Sequence, residues 1–502
     1  MTENQKQYAG LPGSEEPCPG CSPEKARSVT GGVEPCAIVA GTDGRAAASD
    51  KAGPADSRPR ASLFALGCRL NISESEQLHQ DLERAGYRLV PWGEQADLCV
   101  VNTCTVTGQA DAKSRRVLRA AKKTNPDALV AATGCFAQLN SGTLARSGLA
   151  DLVVGNAEKH NLPRIIGEKA DPGSRVVAPA LNRRPFSLQT GRLLEHGAQS
   201  PRPGGTRAHL KVQDGCDFMC SFCLIPFARG RSRPREYGNL LAEAEILAAS
   251  GVREIVLTGV NLGTYEYEGR GLLDVVDALA GLEGLARVRI SSIEPTTVDR
   301  GLLERMADPG HPLTPFLHLP LQSGSDRVLQ AMRRRYDAAG YREFARQALE
   351  AVPGLCLGTD VMAGFPGEDE NDFRQTKALL EDIPLAYLHV FPCSERPGTP
   401  AARQENPVSP AEKSRRAALL RDLSQGKSLE FHRSHLGRTM LVLCEAPRED
   451  GSIGGFTENY IRVELQQGDS TGTGALKNKL LPVRLLEAGS ESVLGVPAGP
   501  PR

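Results

Sequence analysis

The sequence lacks any long apolar run, since none of its hydrophobic stretches approaches the about 18–20 residues that cross a bilayer. It begins MTENQKQYAG, without the basic and then apolar pattern of a secretory signal, so we expect a cytoplasmic protein with no membrane partner. It also lacks net charge, with 60 basic and 60 acidic residues. A strongly basic chain would point directly to nucleic acid. Here any RNA contact must come from local basic patches.

The chain of 502 residues is too long for one ordinary core, and we expect about three folded domains. Residues 1–60 are rich in Gly, Pro, Ser, Ala and charge without a hydrophobic period, which predicts a disordered tail. The tail carries Cys36 and a CxxC pair, Cys18 and Cys21, which could bind zinc or cycle between redox states. Because no second pair accompanies it, we favour a flexible tail.

Residues 62–165 alternate short apolar runs with helical patterns. An amphipathic helix is predicted from about Ser73 to Ala85 and a basic helix around 109–124. Strands are predicted at 62–68, 96–104, 128–135 and 149–156. This rhythm is typical of an α/β domain with a parallel sheet. Residues 166–202 are rich in Pro, Gly and Arg and are interpreted as a linker.

Residues 203–430 repeat the strand–helix rhythm, with helices such as 238–250 and 341–352. The predicted strands are 208–214, 254–260, 287–294, 316–322, 355–365 and 385–391. Six βα units indicate a partial TIM-like (βα)6 barrel that is open on one side. Residues 433–495 change to short β runs separated by turns, which predicts a small β-barrel at the end of an otherwise α/β protein.

The most specific motif is the CxxxCxxC formed by Cys216, Cys220 and Cys223, directly after the first barrel strand. Thiolates at this spacing reach three corners of one 4Fe–4S cluster and leave its fourth iron without a protein ligand. Such an iron can chelate S-adenosylmethionine (SAM) and pass one electron to its sulfonium, which releases a 5′-deoxyadenosyl radical. The alternatives are a zinc site or cysteines that pack as small hydrophobes. Zinc usually takes four ligands, and no partner pair follows nearby.

A second set of cysteines is dispersed along the chain: Cys68, Cys104 and Cys135 each end a predicted strand. Parallel strands would bring the three thiols to one edge of the sheet, where ligands gather. That arrangement suits a second three-cysteine cluster with its own open iron, although scattered cysteines at strand ends also pack as core residues. Cys99 lies in the middle of a strand and is predicted to belong to the core.

Over nearly all of residues 62–480 the sequence resembles the methylthiotransferase family of radical SAM enzymes. The motifs that carry the resemblance are LGCRLNISESE (66–76), VNTCTVTGQADAKSRR (101–116), ATGCFAQ (132–138), QDGCDFMCSFCLIPFARGRSRPRE (213–236), SSIEP (291–295), HLPLQSGSDRVLQAMRRRY (318–336), DVMAGFPGED (360–369) and HVFPCSERPGTPAA (389–402). The resemblance implies an auxiliary 4Fe–4S cluster on Cys68, Cys104 and Cys135, and a radical SAM barrel around the other three cysteines. It also implies a C-terminal RNA-binding module of the TRAM type, whose likeness lies in GFTENYIRVEL (455–465).

Within that family, QDGC and HVFPCSERPGTPAA are most similar to the branch that acts on N6-threonylcarbamoyladenosine beside the tRNA anticodon. Cys393 stands where this branch usually has Tyr. Sister branches modify isopentenyladenosine in tRNA or an aspartate of a ribosomal protein, and a non-catalytic RNA-binding protein with structural zinc is a third hypothesis. The implied partners are tRNA, an electron donor such as flavodoxin or ferredoxin, and a sulfur donor.

The resemblance also implies a mechanism with two roles for SAM. One SAM donates a methyl group to a sulfur held at the auxiliary cluster, and the other is cleaved at the Cys216–Cys223 cluster. The resulting radical removes hydrogen from C2 of the adenine, and the carbon radical captures the methylthio group. Because an aromatic C–H has no useful acidity, acid–base catalysis fails and a radical is needed. Both open irons must therefore face one cavity.

Other candidates lie at the ends of later barrel strands, where ligand-binding loops belong. Polar groups there could bind SAM: Thr258, Gly259, Val260, Asn261, Ser292, Glu294 and Gln322. Basic clusters could bind RNA phosphates: Lys113, Arg115, Arg116, Arg119, Lys122 and Lys123; Arg229, Arg231, Arg233 and Arg235; and Arg333, Arg334 and Arg335. A solvated helix face is the alternative for each cluster. His318 and His389 lie in strand patterns and are predicted to be core residues rather than ligands.

Overall fold

A computed structural model describes residues 57–168, 175–188, 206–448, 450–466 and 476–501. Almost all of the predicted tail, including Cys18, Cys21 and Cys36, lies outside the described residues. Within them, no helix combines the length and the apolar character that a membrane crossing requires.

The first domain is built on a six-stranded parallel sheet with the strand order β2–β1–β3–β4–β5–β6. Its strands are β1 (Arg60–Ala65), β2 (Arg88–Leu89), β3 (Leu98–Thr103), β4 (Leu129–Gly134), β5 (Leu152–Val154) and β6 (Arg175–Val177). Its helices are α1 (Arg69–Arg84), α2 (Gly108–Thr124), α3 (Cys135–Leu139), α4 (Ser141–Arg146) and α5 (Leu162–Gly167). The predicted parallel sheet is confirmed. Strand β6 lies in the range assigned to a linker, which therefore contributes to the sheet.

Helix α1 starts at Arg69, about four residues before the predicted start at Ser73. Its first turns bury polar side chains, among them Asn71 and Glu74, so an apolar period is missing there. These polar groups face partners in the next domain, which the sequence pattern of one helix cannot reveal.

The central domain is an open barrel made of two three-stranded parallel sheets, β13–β10–β7 and β14–β15–β16. An isolated bridge between Val288 and Leu313 connects β13 to the segment that leads into β14. Its strands are β7 (Arg207–Lys211), β8 (Gln213–Asp214), β9 (Arg233–Pro234), β10 (Glu254–Thr258), β11 (Glu266–Tyr267), β12 (Arg270–Gly271), β13 (Arg287–Ile290), β14 (Phe316–His318), β15 (Cys356–Ala363) and β16 (Tyr387–Pro392). Its helices are α6 (Ile225–Arg229), α7 (Tyr237–Ala249), α8 (Leu272–Ala280), α9 (Arg300–Ala307), α10 (Asp326–Ala331), α11 (Ala338–Ala351) and α12 (Glu370–Asp382). All six predicted barrel strands are present.

The long helix α13 (Pro410–Arg433) packs against β16 and leads into a closed five-stranded barrel. Its strands are β17 (Thr439–Cys444), β18 (Gly454–Thr457), β19 (Arg462–Leu465), β20 (Leu480–Ala488) and β21 (Val493–Pro497). This confirms the predicted C-terminal β-barrel.

The C-terminal barrel is docked on the central domain by arginines that project from strand β13 of the central domain. Arg287 donates to the carbonyls of Leu441 (2.6 Å) and Phe456 (2.9 Å), and Arg289 donates to the carbonyl of Glu458 (2.9 Å).

Glu254 of β10 is fully buried and accepts hydrogen bonds from Arg289. Burial works to raise the pKa of Glu254, but Arg289, Arg207 and Arg287 outweigh it and lower the pKa to about 2. An ionised carboxylate therefore organises the arginines of this interface.

Candidate active site

The three predicted auxiliary-cluster ligands, Cys68, Cys104 and Cys135, are called the first-domain thiols below. They follow β1, β3 and β4, which are neighbours in the sheet, so the chain leaves three adjacent strands at one edge. Gly67 has φ 98°, and a Cβ atom at this position would lie 2.7 Å from the Cys104 sulfur. Glycine before Cys68 thus permits both the left-handed turn and the close approach of the second thiol.

The first-domain thiols sit in a mostly buried pocket: Cys104 and Cys135 are 5% and 3% exposed, whereas Cys68 is exposed. Burial, together with the neighbouring Cys68 and Cys135, raises the pKa of Cys104 to about 12. Burial also raises the pKa of Cys135, and Cys68 adds to that rise. The structure therefore brings these three thiols together, as the hypothesis requires.

The second triplet, Cys216, Cys220 and Cys223, is called the barrel thiols. It lies in the loop between β8 and α6. Gly215 precedes the loop with φ 74°, and any Cβ there would overlap the carbonyl group of Arg231. Burial raises the pKa of Cys216 to about 11 and that of Cys223 to about 12, and Cys220 raises both.

Each thiol triplet is less compact than the tightest group of metal-ligating side chains among the described residues. Among the described residues, the His, Cys, Asp and Glu side chains whose ligand atoms all lie within 4.8 Å of one another are His318, Asp360 and His389. Neither thiol triplet is that compact, and a tetrahedral zinc site would need it to be.

Packing between the two domains holds the triplets near each other. Helix α3, which begins at Cys135, packs on helix α6, which begins two residues after Cys223. Asn156 donates to the carbonyl of Ala228 (2.7 Å) and lies 3.9 Å from the Cys135 sulfur. Arg229 at the end of α6 donates to Asn71 of α1 (2.5 Å), which spans the same interface.

A buried arginine lies directly against the barrel thiols. Arg334 donates to the Cys220 sulfur (3.2 Å), and it also pairs with Glu294 and bonds to Tyr336. Burial raises the pKa of Glu294, and Arg334 opposes that rise. Arg334 was predicted to contact RNA phosphates, and this prediction is wrong because its side chain is 3% exposed and paired inside the barrel. In the sequence, Arg334 is part of a continuous basic run, Arg333–Arg335, and nothing there indicates that Arg334 alone points into the barrel.

The predicted SAM-binding residues fall into two groups. Thr258 is fully buried and donates to the carbonyl of Leu210, so its hydroxyl serves the sheet. Asn261 is also buried, but its side-chain nitrogen has no partner while its oxygen accepts from Thr297. An unpaired buried amide at a barrel strand end is the kind of group that a ligand satisfies.

The remaining predicted positions complete the rim. Gln213, which sequence reasoning missed, accepts from the backbone of Val260 and Asn261 and shapes the loop after β10. Gly259 packs against Gln213 so closely that a Cβ would meet its carboxamide oxygen at 3.0 Å. Gln322 follows β14 with φ 71°, and Ser292 is half-buried just after β13.

A second polar group, His318, Asp360 and His389, lines the other half-sheet and is called the histidine–aspartate group. The His318 Nε2 lies 3.0 Å and the His389 Nδ1 3.4 Å from one oxygen of Asp360. The Tyr387 hydroxyl lies 3.0 Å from His318 Nδ1, and its ring occupies the space that Gly358 leaves open. Burial favours a higher pKa for Asp360, but His318 and His389 hold it below its usual range. His318 is buried as predicted, whereas the His389 side chain is 41% exposed and is not a core residue.

Three further predicted RNA contacts are wrong. Arg229, Arg233 and Arg235 are at most 9% exposed and pair with carboxylates inside the protein. Three of the four arginines in RGRSRPR thus point inward, and only Arg231 stays half-exposed beside Asp217.

Helix α2 keeps a basic surface. Arg116, Arg119 and Lys123 are exposed at helical spacing. The other three predicted RNA contacts of this helix are less available: Lys122 pairs with Asp151, Arg115 lies over the Phe136 ring, and Lys113 is half-exposed. Arg333 and Arg335 are exposed near the barrel thiols, with Arg335 stacked on Phe218.

Comparison with family models matches residues 60–155 to a family described as "Uncharacterized protein family UPF0004" and residues 210–380 to the radical SAM superfamily. A solved radical SAM methyltransferase, TsrM from Kitasatospora setae with cobalamin and a [4Fe-4S] cluster bound, is similar in fold with a TM-score of 0.50. It has 17% identity and covers 68% of this chain and 77% of its own.

Curated relatives share much more sequence. "Threonylcarbamoyladenosine tRNA methylthiotransferase MtaB" from Aquifex aeolicus is 36% identical over 400 residues, 80% of this chain and 95% of the relative. The protein with the same name from Bacillus subtilis is 34% identical over 433 residues, covering 84% and 93%. "tRNA-2-methylthio-N(6)-dimethylallyladenosine synthase" from Cereibacter sphaeroides is 35% identical over 435 residues, covering 86% and 96%.

Proposed function

The chain belongs to the radical SAM tRNA methylthiotransferases, and on that basis we propose that it adds a methylthio group to C2 of N6-threonylcarbamoyladenosine beside the tRNA anticodon. Its cofactors are SAM and 4Fe–4S clusters. We assign the first-domain thiols to an auxiliary cluster and the barrel thiols to the SAM-cleaving cluster. An electron donor such as flavodoxin or ferredoxin and a separate sulfur donor complete the proposed partners.

When bound, these groups supply a carbon radical and a methylated sulfur; the protein's own residues orient them. Arg334 positions Cys220 and, through Glu294, the loop that follows β13. Asn261 offers its free amide nitrogen at the end of β10. The packing of α3 on α6 keeps the two thiol triplets on one domain interface, as a radical born at one and captured at the other requires.

The observation that carries the choice of substrate is the histidine–aspartate group. On the side of the barrel thiols, the negative charge of Asp360 helps to raise the pKa of Glu294, the partner of Arg334. On its other side, Tyr387 is influenced by Arg69, the residue after Cys68. The group is therefore electrostatically coupled to Glu294 on one side and to Arg69 on the other.

A polar group in this place favours a polar adenosine substituent. The half-exposed His389 and the partly exposed Asp360 have hydrogen-bonding atoms that a ligand could reach. The threonylcarbamoyl group carries a carboxylate, a hydroxyl and amides that match such partners. An isopentenyl group has none, and would leave the group unpaired on binding. Sites built to hydrogen-bond a substrate reject the apolar analogue strongly.

The experiment compares rates of methylthiolation, measured by mass spectrometry of digested nucleosides, on tRNAs bearing either adenosine. We expect the threonylcarbamoyl tRNA to be modified and the isopentenyl tRNA to react at least about 100-fold more slowly. Preference for the isopentenyl tRNA would assign the chain to the sister branch. If neither tRNA is methylthiolated and a ribosomal protein is modified instead, the chain would belong to the branch that acts on a ribosomal protein aspartate.

A variant connects this preference to the structure. His389→Leu removes a polar atom that faces Asp360 and makes the site more apolar, so the preference for the threonylcarbamoyl tRNA should fall by about tenfold. His311→Leu is the matched control, because His311 pairs with Asp277 of α8. Equal effects of the two substitutions would contradict the proposed role.

A further inference from the structure

Six charged side chains form a buried ionic network between the first domain and the central barrel. Glu74 of α1 contacts Lys159 (2.5 Å), Lys211 (2.7 Å) and Arg229 (2.8 Å). Asp214 contacts Lys211 (2.8 Å), Arg229 (3.1 Å) and Arg233 (3.3 Å). No member is more than 10% exposed.

The network holds more positive than negative charge. Its ion pairs join four cations to two carboxylates. Glu76, the next carboxylate of α1, pairs with His209. Uncompensated charge in a buried region costs several kcal/mol per ion, so a surplus of cations persists only where an anion balances it.

The surplus lies against the first-domain thiols. The positive charges of Arg229 and Lys159 both favour the ionised form of the Cys135 thiol, and Arg229 also favours that of Cys104. Asn71, which accepts from Arg229, donates to the carbonyls of Leu66 and Thr103, just before Cys68 and Cys104. The barrel thiols have a different environment, because Arg334 beside Cys220 is already paired with Glu294.

A cluster on three thiolates carries net negative charge, and a sulfur anion on its open iron would add to it. Taking up one electron from a reductant makes it more negative still. Positive charge fixed nearby in a dry interior stabilises the reduced form. The potentials of such clusters respond to net charge and to their surroundings.

We propose that Arg229 and Lys159 supply the positive charge that balances the auxiliary cluster and that they raise its reduction potential. The inference rests on the proposed assignment of the first-domain thiols as cluster ligands. It makes the two residues positioning residues that act through the cluster, and it gives the buried network a role beyond holding two domains together.

The test uses the full-length chain with the barrel thiols replaced by alanine, so that one cluster remains after anaerobic reconstitution. A potentiometric titration with dithionite, followed by electron paramagnetic resonance of the reduced cluster, gives the midpoint potential. Arg229→Gln removes a positive charge and should shift the potential to a more negative value. Glu74→Gln removes a negative charge from the same network and should shift it to a more positive value. Arg229→Lys keeps the charge and should stay close to the parent.

Opposite signs are the decisive feature, because general loosening of the interface would move both variants in the same direction. Arg235→Gln is the control, since Arg235 is equally buried but pairs with Glu243 instead. If Arg229→Gln fails to hold its cluster, Lys159→Gln takes its place and should likewise shift the midpoint potential to a more negative value. Shifts of equal sign, or no shift in any variant, would overturn the inference. Failure of the parent to bind about four irons would overturn the ligand assignment itself, a separate result.

Discussion

Replacing Glu254 with Gln should loosen the docking of the C-terminal barrel. The substitution keeps the shape of the side chain but removes the buried negative charge that faces Arg289, Arg207 and Arg287. Arg287 and Arg289 would still point at carbonyls of the C-terminal barrel, now as buried cations without a carboxylate.

The magnitude follows from the pKa of Glu254. The lowering from 4.5 to about 2 corresponds to about 3 kcal/mol of stabilisation by the ionised form at neutral pH, at 1.36 kcal/mol per unit. Loss of one partner from a buried ion pair costs a similar amount, about 3–5 kcal/mol. Because the pKa is lowered on folding, this contribution is present above about pH 4.5 and is lost as the pH falls toward about 2.

Hydrogen exchange resolved by mass spectrometry over β10, β13 and β17 measures the effect locally, which suits a chain of several domains. A loss of about 3 kcal/mol predicts exchange about 100-fold faster in these strands at neutral pH. The control is Glu445→Gln: Glu445 also pairs with Arg207 (2.5 Å) but is 36% exposed, so the cost should stay below about 1 kcal/mol. Equal acceleration in both variants would refute the argument that Glu254 organises the interface.

Three further predictions concern the site. Cys104→Ala should lower the iron content from about eight to about four per chain and abolish methylthiolation, while reductive SAM cleavage persists; loss of both activities would contradict separate roles for the triplets. Arg334→Lys should slow SAM cleavage by at least about tenfold, because an ammonium cannot reach Cys220 and Glu294 together. The rate of 5′-deoxyadenosine formation measures this effect, and an unchanged rate would rule out the positioning role. Alanine at Arg116, Arg119 and Lys123 should reduce the salt dependence of tRNA binding by about two to three units of slope and leave SAM cleavage intact; an unaltered slope would remove α2 from the RNA surface.

Much of the fold was accessible from the sequence because strand and helix periods are local signals. The parallel sheet, the six barrel strands and the final β-barrel were each predicted near their observed positions. Cys68, Cys104 and Cys135 follow three adjacent strands of the parallel sheet, which end at one edge; their role as cluster ligands stays a prediction.

The wrong RNA contacts share one physical cause: buried charge looks the same in sequence as surface charge. Arg229, Arg235 and Arg334 were assigned to an RNA surface, yet each is paired with a carboxylate inside the protein, and the partners of Arg229 and Arg334 lie far away along the chain. The early turns of α1 were missed for the same reason, since Asn71 and Glu74 serve a neighbouring domain and break the apolar period. Such partners become visible only when the domains are packed.

The central claim is that the two thiol triplets share one cavity in which an adenine C2 loses its hydrogen. It is tested most directly with tRNA that carries deuterium at C2 of the N6-threonylcarbamoyladenosine, incubated with reconstituted protein, SAM and a reductant. The account predicts that deuterium leaves the nucleoside on methylthiolation and is recovered in 5′-deoxyadenosine. Methylthiolated product accompanied by 5′-deoxyadenosine that contains no deuterium would contradict it.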